Sequence, residues 1–177
     1  MCCSYSVRGT FSQGFDIPAN YFKLVEMDIQ TRQITLADAD TAAELSGELG
    51  YPASPEVMRN RITSLSADRV FYVACLDEEV VGWIDVSLTH HLQSDARAEI
   101  GGLVVSSKLR SRGIGRVLVA RAEQWALERG LNSVVVRSQI AREDAHSFYL
   151  REGYARTKTS AVFTKQLDRY FVSTLTT

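Results

Sequence analysis

Residues 98–139 constrain the fold most. They open with an apolar, β-branched run broken by two glycines, AEIGGLVVS, and continue through an arginine- and glycine-rich turn, SKLRSRGIGR. A helical repeat follows, with Ile114, Leu118, Ala122 and Trp125 on one face and Gly130 placed to stop it. Then comes a second β-branched run, SVVVRSQ. A helical period between two short β-branched runs reads as strand, helix, strand. The helix returns the chain to the edge it left, so the two strands pair in parallel.

Around this unit the pattern changes. IQTRQITL alternates as a short strand, and DADTAAELSGELG has helical spacing at Ala42, Ala43 and Leu45, with Gly50 at its end. SPEVMRNRITSL reads as a second helix, with Ser54 as N-cap and Pro55 at the first helical position. RVFYVACL and EVVGWIDVSL are strands joined into a hairpin by an acidic turn at Asp77 and Glu78. THHLQSDAR reads as a polar connection. Further on, EDAHSFYLRE is a short helix ending at Gly153, and ARTKTSAVFTKQL is expected to close the fold with one or two strands. The order is β-α-α-β-β-β-α-β-α-β. Hairpins need antiparallel neighbours, so the class is α/β, or α+β under a stricter label. The expected core is a mixed, mostly antiparallel central sheet with a parallel pair in the middle, flanked by about four helices.

A chain of 177 residues suits one domain with a single sizeable core. Its net charge of −1 offers no field for nucleic acid or an anionic membrane, and neither partner is expected. No apolar run approaches the roughly 20 residues that span a bilayer. Cys2, Cys3 and Cys75 have neither disulfide-framework nor zinc spacing, and Cys75, inside VFYVACL, reads as a small buried residue in a reducing compartment. The first residues lack the basic start and apolar stretch of a secretory signal, so the expected location is cytoplasmic. Residues 1–26 read as an N-terminal extension, with Met27 a candidate start. Residues 27–168 form the domain and 169–177 a tail.

The turn at 107–116 carries the chemistry. Between a strand and a helix, free backbone N–H groups collect at the positive end of the helix dipole. Gly113 and Gly115 let the backbone bend and approach a ligand closely, while Arg110, Arg112 and Arg116 bring planar donors suited to phosphate oxygens. These features describe a pyrophosphate cradle. A P-loop would need Lys then Ser or Thr after its second glycine, where Arg116 and Val117 stand. A dinucleotide fingerprint would need a small residue where Leu118 stands. A solvated basic turn leading into an amphipathic helix stays open as the alternative.

Arg110-x-x-Gly113-x-Gly115 directly after EIGGLVVS resembles the acyl-CoA pyrophosphate loop of the GNAT superfamily of N-acetyltransferases. SFYLREGY, with Phe148, Tyr149, Gly153 and Tyr154, is similar to that family's late helix, and the element order from about Ile29 to Leu167 matches its fold. EDAHSFYLREGY, taken with the His90–His91 segment before the glycine strand, looks like the aminoalkylphosphonate N-acetyltransferase branch. Aminoglycoside 6′-acetylating enzymes share parts of the pattern. The resemblance implies that the parallel pair is splayed, that residues 27–168 are an acyl-CoA N-acyltransferase domain, and that acetyl-CoA is the acyl donor. It implies cofactor contacts from Leu103, Val104 and Val105 through main chain, from Arg110, Ser111, Arg112, Gly113, Ile114, Gly115 and Arg116 in the loop, and from His146. By the same resemblance Tyr149 protonates the leaving thiolate and Glu99, directly or through water, takes the amine proton. No metal is expected, since none of the three histidines has recognised ligand spacing. The chain departs from the family at Gly102, where many members carry a polar or acidic residue, and at Arg142, where an Asn often contacts the cofactor.

The expected reaction is acetyl transfer to a primary amine of a small molecule by direct attack in a ternary complex. The alternatives are a protein or peptide N-acetyltransferase and a non-catalytic acyl-CoA-binding module. Dimers are common in the family, which makes a homodimer a candidate assembly.

Overall fold

One sheet organises the protein. Its strands lie in the order β1 (Gln30–Gln33), β2 (Arg69–Leu76), β3 (Glu79–His91), β4 (Ser94–Val105) and β5 (Val134–Val136). The first three junctions are antiparallel, whereas β4 and β5 are parallel, with Ala98 opposite Val134 and Ile100 opposite Val136. Helix α3 (Ile114–Glu128) makes the crossover, as the strand–helix–strand pattern requires. This computed structural model describes residues 28–167, so the extension expected over 1–26 and the tail over 169–177 lie outside the described residues. The described chain divides into two units, 28–137 and 138–167, and the sheet belongs to the first.

Residues directly opposite one another across a ladder share a face. Phe71 and Trp83 therefore stand on one face with Asp85, and they pack against Ala39, Ala42 and Ala43 of α1 (Ala39–Glu48) and Met58 and Ile62 of α2 (Pro55–Thr63). Helix α3 covers the other face. Its Leu118 approaches Gly82 of β3, and Arg121 lays its guanidinium over the Tyr72 ring of β2 at 4.3 Å. The expected buried stripe of α3 is the observed one: Ile114, Leu118, Ala122 and Trp125 are each at most 2% exposed.

Local chemistry fixes the element ends. The Ser54 hydroxyl accepts the Val57 N–H at 3.2 Å and Pro55 opens α2. Asp77 and Glu78 form the two-residue hairpin turn, both with positive φ, 49° and 69°. Cys75 is buried, as expected, and burial raises its thiol pKa. No helix among the described residues is long and apolar enough to cross a membrane.

Two expectations are corrected. THHLQSDAR is not a loop: β3 continues to His91 and β4 begins at Ser94, with Thr89 opposite Arg97 and its hydroxyl donating to the Arg97 carbonyl at 3.2 Å. His90, His91, Ser94 and Asp95 are exposed, so the polarity marks a solvated two-stranded ribbon that projects beyond the core. The second unit contains α4 (Glu143–Arg151), and ARTKTSAVFTKQL forms no strand. Its Val162 and Phe163 are 88% and 93% exposed. Residues 155–167 are exposed throughout, and a segment that buries none of its side chains gains too little to hold a strand. As a result β5, with its parallel partner, lies at the edge of the sheet among the described residues.

Candidate active site

Strand β4 is paired on both sides only as far as Ile100. From Ala98 to Ile100 it faces β3 on one side and β5 on the other; beyond Ile100, Gly102, Leu103, Val104 and Val105 keep their β3 partners while the β5 ladder has ended. The register also slips at this point: Val86 faces Ile100 and Asp85 faces Gly102, which leaves Gly101 as an extra, bulged residue. The double glycine in the sequence thus marks a bulge where one edge of the strand becomes available to a ligand. Both glycines also leave room for side chains from β3. A Cβ on Gly101 would lie 2.7 Å from Asp85 Oδ2, and one on Gly102 would lie 2.9 Å from the Trp83 ring. Trp83 fills the space that a side chain at position 102 would take.

After β4 a single 3-10 turn (Ser107–Leu109) leads into the arginine–glycine loop, and Glu48 of α1 anchors it by accepting the Ser107 N–H at 2.7 Å. Ser111 and Gly113 adopt positive φ, 62° and 83°. Left-handed residues on either side of Arg112 curl the backbone tightly, a feature shared with anion nests. No side chain caps α3 at Gly113, and the N–H groups of Ile114 and Gly115 lie at the positive end of its dipole. Arg110, Arg112 and Arg116 are exposed around this turn. The Ile114 side chain is 1% exposed, in the core, so the backbone is what this residue offers a ligand.

Glu99 stands on β4 just before the bulge, opposite Ser87 and on the same sheet face as Asp85. Its carboxylate accepts a hydrogen bond from Arg137 Nε at 2.9 Å and its side chain is 19% exposed. Asp85 was not anticipated as a site residue. It is 9% exposed, and Arg69 clamps it from β2 with two hydrogen bonds, Nε to Oδ1 at 2.8 Å and Nη2 to Oδ2 at 2.5 Å. Asp85 and Trp83 border a cavity of about 320 Å³ beneath α1 and α2, within the size range of small-molecule sites. The sequence did hold a signal for this pair: in GWIDVSL a carboxylate sits two residues from a tryptophan, on the same strand face, inside an otherwise apolar run.

The second unit carries the other two candidates on α4, one turn apart. His146 Nε2 donates to the Gln139 carbonyl at 3.1 Å, which fixes its tautomer. Tyr149 makes edge-on contacts with Phe148 and Tyr154, with centroids 5.1 and 5.5 Å away. Burial pushes the Tyr149 phenol up to about 12, against a smaller lowering effect of Arg142. It therefore stays protonated throughout the physiological range.

The sequence model of the Acetyltransferase (GNAT) family matches residues 38–154, about two thirds of the chain. The chain belongs to the GNAT acetyltransferase family. It is an N-acetyltransferase, with acetyl-CoA as acyl donor. It is 33% identical over 144 residues to aminoalkylphosphonate N-acetyltransferase of Salmonella typhimurium, covering 78% of this chain and 91% of that one. This is the branch suggested by EDAHSFYLREGY. Aminoglycoside N(6′)-acetyltransferase type 1 of Stenotrophomonas maltophilia is 27% identical over 143 residues, with 77% and 93% covered. A solved aminoglycoside N-acetyltransferase, AAC(6′)-Iy in complex with CoA, shares the fold with a TM-score of 0.71 at 16% identity, covering 78% of this chain and 95% of that one. The residues present fit the GNAT donor: a strand edge without a partner among the described residues suits an extended amide-bearing arm, and the uncapped start of α3 suits a pyrophosphate.

Proposed function

We propose that this GNAT enzyme acetylates the primary amine of a small molecule by direct attack in a ternary complex, in the cytoplasm. The observation that carries the reading is the about 320 Å³ cavity, polar at Asp85, whose carboxylate lies beside Gly101 of the bulge where β4 loses its second partner. A pocket of this size holds a compact amine, and the two relatives named above, each aligned over more than nine tenths of its length, carry small-molecule names. A buried, unpaired Cys75 suits a reducing compartment.

In this mechanism acetyl-CoA supplies the activated acetyl thioester. The loop from Arg110 to Arg116 holds the pyrophosphate, and main-chain groups of Leu103, Val104 and Val105 align the pantetheine arm, one N–H meeting the carbonyl oxygen as it gains charge. Glu99 accepts the proton that the ammonium must lose, directly or through water. The amine nitrogen bonds to the acyl carbon as the carbon–sulfur bond breaks, and Tyr149 donates to the departing sulfur. His146 lies one turn before Tyr149 and is assigned to the cofactor side.

The direct test is thiol release from acetyl-CoA over a panel of aminoalkylphosphonates, aminoglycosides, polyamines and peptides. Turnover on a small amine supports the reading; tight CoA binding with no turnover on any of them refutes it, and turnover on peptides alone moves the assignment to a protein acetyltransferase. Tyr149→Phe is expected to leave CoA affinity intact and lower kcat by about 10²-fold, the scale of one general acid. Because the phenol titrates near 12, the wild-type rate should show no alkaline loss from this group below about pH 10. Unchanged turnover in Tyr149→Phe would remove it from the mechanism. Glu99→Gln is expected to lower kcat on a similar scale while CoA binding holds.

A further inference from the structure

Asp85 and Glu99 stand on the same sheet face, and arginines hold them differently. Asp85 has a donor on each oxygen, Arg69 Nε on Oδ1 and Nη2 on Oδ2. Glu99 is held at one oxygen only: Arg137 Nε donates to Oε1 at 2.9 Å, and among the described residues no donor reaches Oε2. A carboxylate that takes up a proton needs an oxygen open to receive it. By that criterion Glu99 is the open carboxylate and Asp85 the closed one.

Arg137 comes from the strand that diverges. Glu99 pairs with Val135, one row before the β4–β5 ladder ends at Ile100 and Val136. Arg137 follows Val136 directly, and its guanidinium reaches back to Glu99 at the place where the strands part. The other neighbours of Glu99 do not orient it. Ser87 and Val135, opposite it on β3 and β5, are short and make no bond to its carboxylate. Arg97, two positions earlier on the same face of β4, keeps its Nε buried without a partner. A glutamate side chain is long and samples several rotamers unless a bond selects one. The Arg137 side chain is 58% exposed, so packing does not account for its placement.

We propose that Arg137 is a positioning residue for the proton-transfer step. By holding Oε1 it fixes the Glu99 side chain so that Oε2 faces the acceptor nitrogen, or the water between them, where β4 parts from β5. The ammonium proton passes to Oε2, and Arg137 itself touches neither substrate nor cofactor. The proposal rests on the acetyl-transfer reading and on Glu99 as its base.

Steady-state kinetics of the full-length protein, with acetyl-CoA and the amine of the panel that it turns over fastest, test this role. Arg137→Met keeps the side chain long but removes the donor. It should lower kcat about tenfold, the scale of one charge-assisted hydrogen bond, with the amine KM and the CoA dissociation constant within about twofold of wild type. Arg137→Lys can still place one donor on Oε1, which is all that Nε supplies, and should bring kcat back to within about threefold of wild type. In a Glu99→Gln background Arg137→Met should change kcat by less than about twofold, because a residue that acts through Glu99 has nothing left to position. A residue with a merely structural role would instead lower the urea midpoint and the rate in both backgrounds. Full activity in Arg137→Met, or the same loss persisting beside Glu99→Gln, overturns the proposal while acetyl transfer stands. If the wild-type protein turns over no amine in the panel, the acetyl-transfer reading falls and this role falls with it.

Discussion

Gly101 is exposed, and a reader of exposure alone would expect it to tolerate alanine. The space a methyl group would take belongs to Asp85 Oδ2, 2.7 Å from the ideal Cβ, and Arg69 holds that oxygen so it cannot simply swing aside. Gly101→Ala is therefore expected to destabilise the protein by about 1–3 kcal/mol, the usual cost of overpacking, and to weaken acceptor binding without changing CoA affinity. Denaturant unfolding and calorimetry on the same variant check both halves; a stable variant with normal amine affinity would mean the carboxylate is free to move. Sequence reading could see two glycines interrupting a strand and infer a bulge. It could not see that Asp85 and Trp83 of the neighbouring strand fill the space beside them, because cross-strand register decides which side chains meet. The same limit applies to Glu99: its place before the bulge was legible, but its Arg137 partner, on the stretch just after β5, was not.

At the scale of elements, the start of α3 joins helix and ligand site. Gly113 serves as N-cap with φ of 83° and contributes no side-chain acceptor, so the first-turn N–H groups stay directed outward. An ideal Cβ there meets nothing within 4 Å, so a substitution acts on backbone conformation and on the ligand rather than on packing. Gly113→Val should therefore reduce CoA affinity by at least about tenfold, while costing stability on the order of 1–2 kcal/mol for a left-handed β-branched residue. An unchanged CoA dissociation constant would refute the cradle. Elements with strong local signals were readable: Ser54–Pro55 opens α2 as its capping chemistry demands, and the α3 stripe is buried as its period demands. The misread segments lacked such signals for opposite reasons. The ribbon around His91 and Ser94 has polar side chains on both faces, so a paired strand looks like a loop. ARTKTSAVFTKQL has the β-branched residues of a strand but buries none of its side chains, so that propensity has nothing to pack against.

Across the whole molecule, acid stability follows from where the carboxylates are held. Among the described residues, the first unit has four carboxylates bonded to arginines at 3.0 Å or closer, Asp38, Asp40, Asp85 and Glu99. The Arg59–Asp40 pair is exposed on both sides and contributes little. Asp38 differs. It is 7% exposed, accepts two 2.7 Å hydrogen bonds from Arg32, and closes a capping box with Thr35 that ties β1 to the start of α1. The Arg32 hydrogen bonds, aided by Thr35 and opposed by burial, hold its carboxyl at about 2, below the ordinary 3.8. A depressed folded pKa means that the unfolded chain takes up the proton first. The stabilisation is thus fully present above about pH 4 and is lost as pH falls through about 2. The shift corresponds to roughly 1–2 kcal/mol once the partial exposure of Arg32 is discounted. Asp38→Asn should remove that amount near neutral pH and flatten the fall in stability between about pH 4 and pH 2. Urea unfolding of both proteins at stepped pH checks the sign; a variant that loses stability with the wild-type slope over that interval would show that other carboxylates govern acid unfolding.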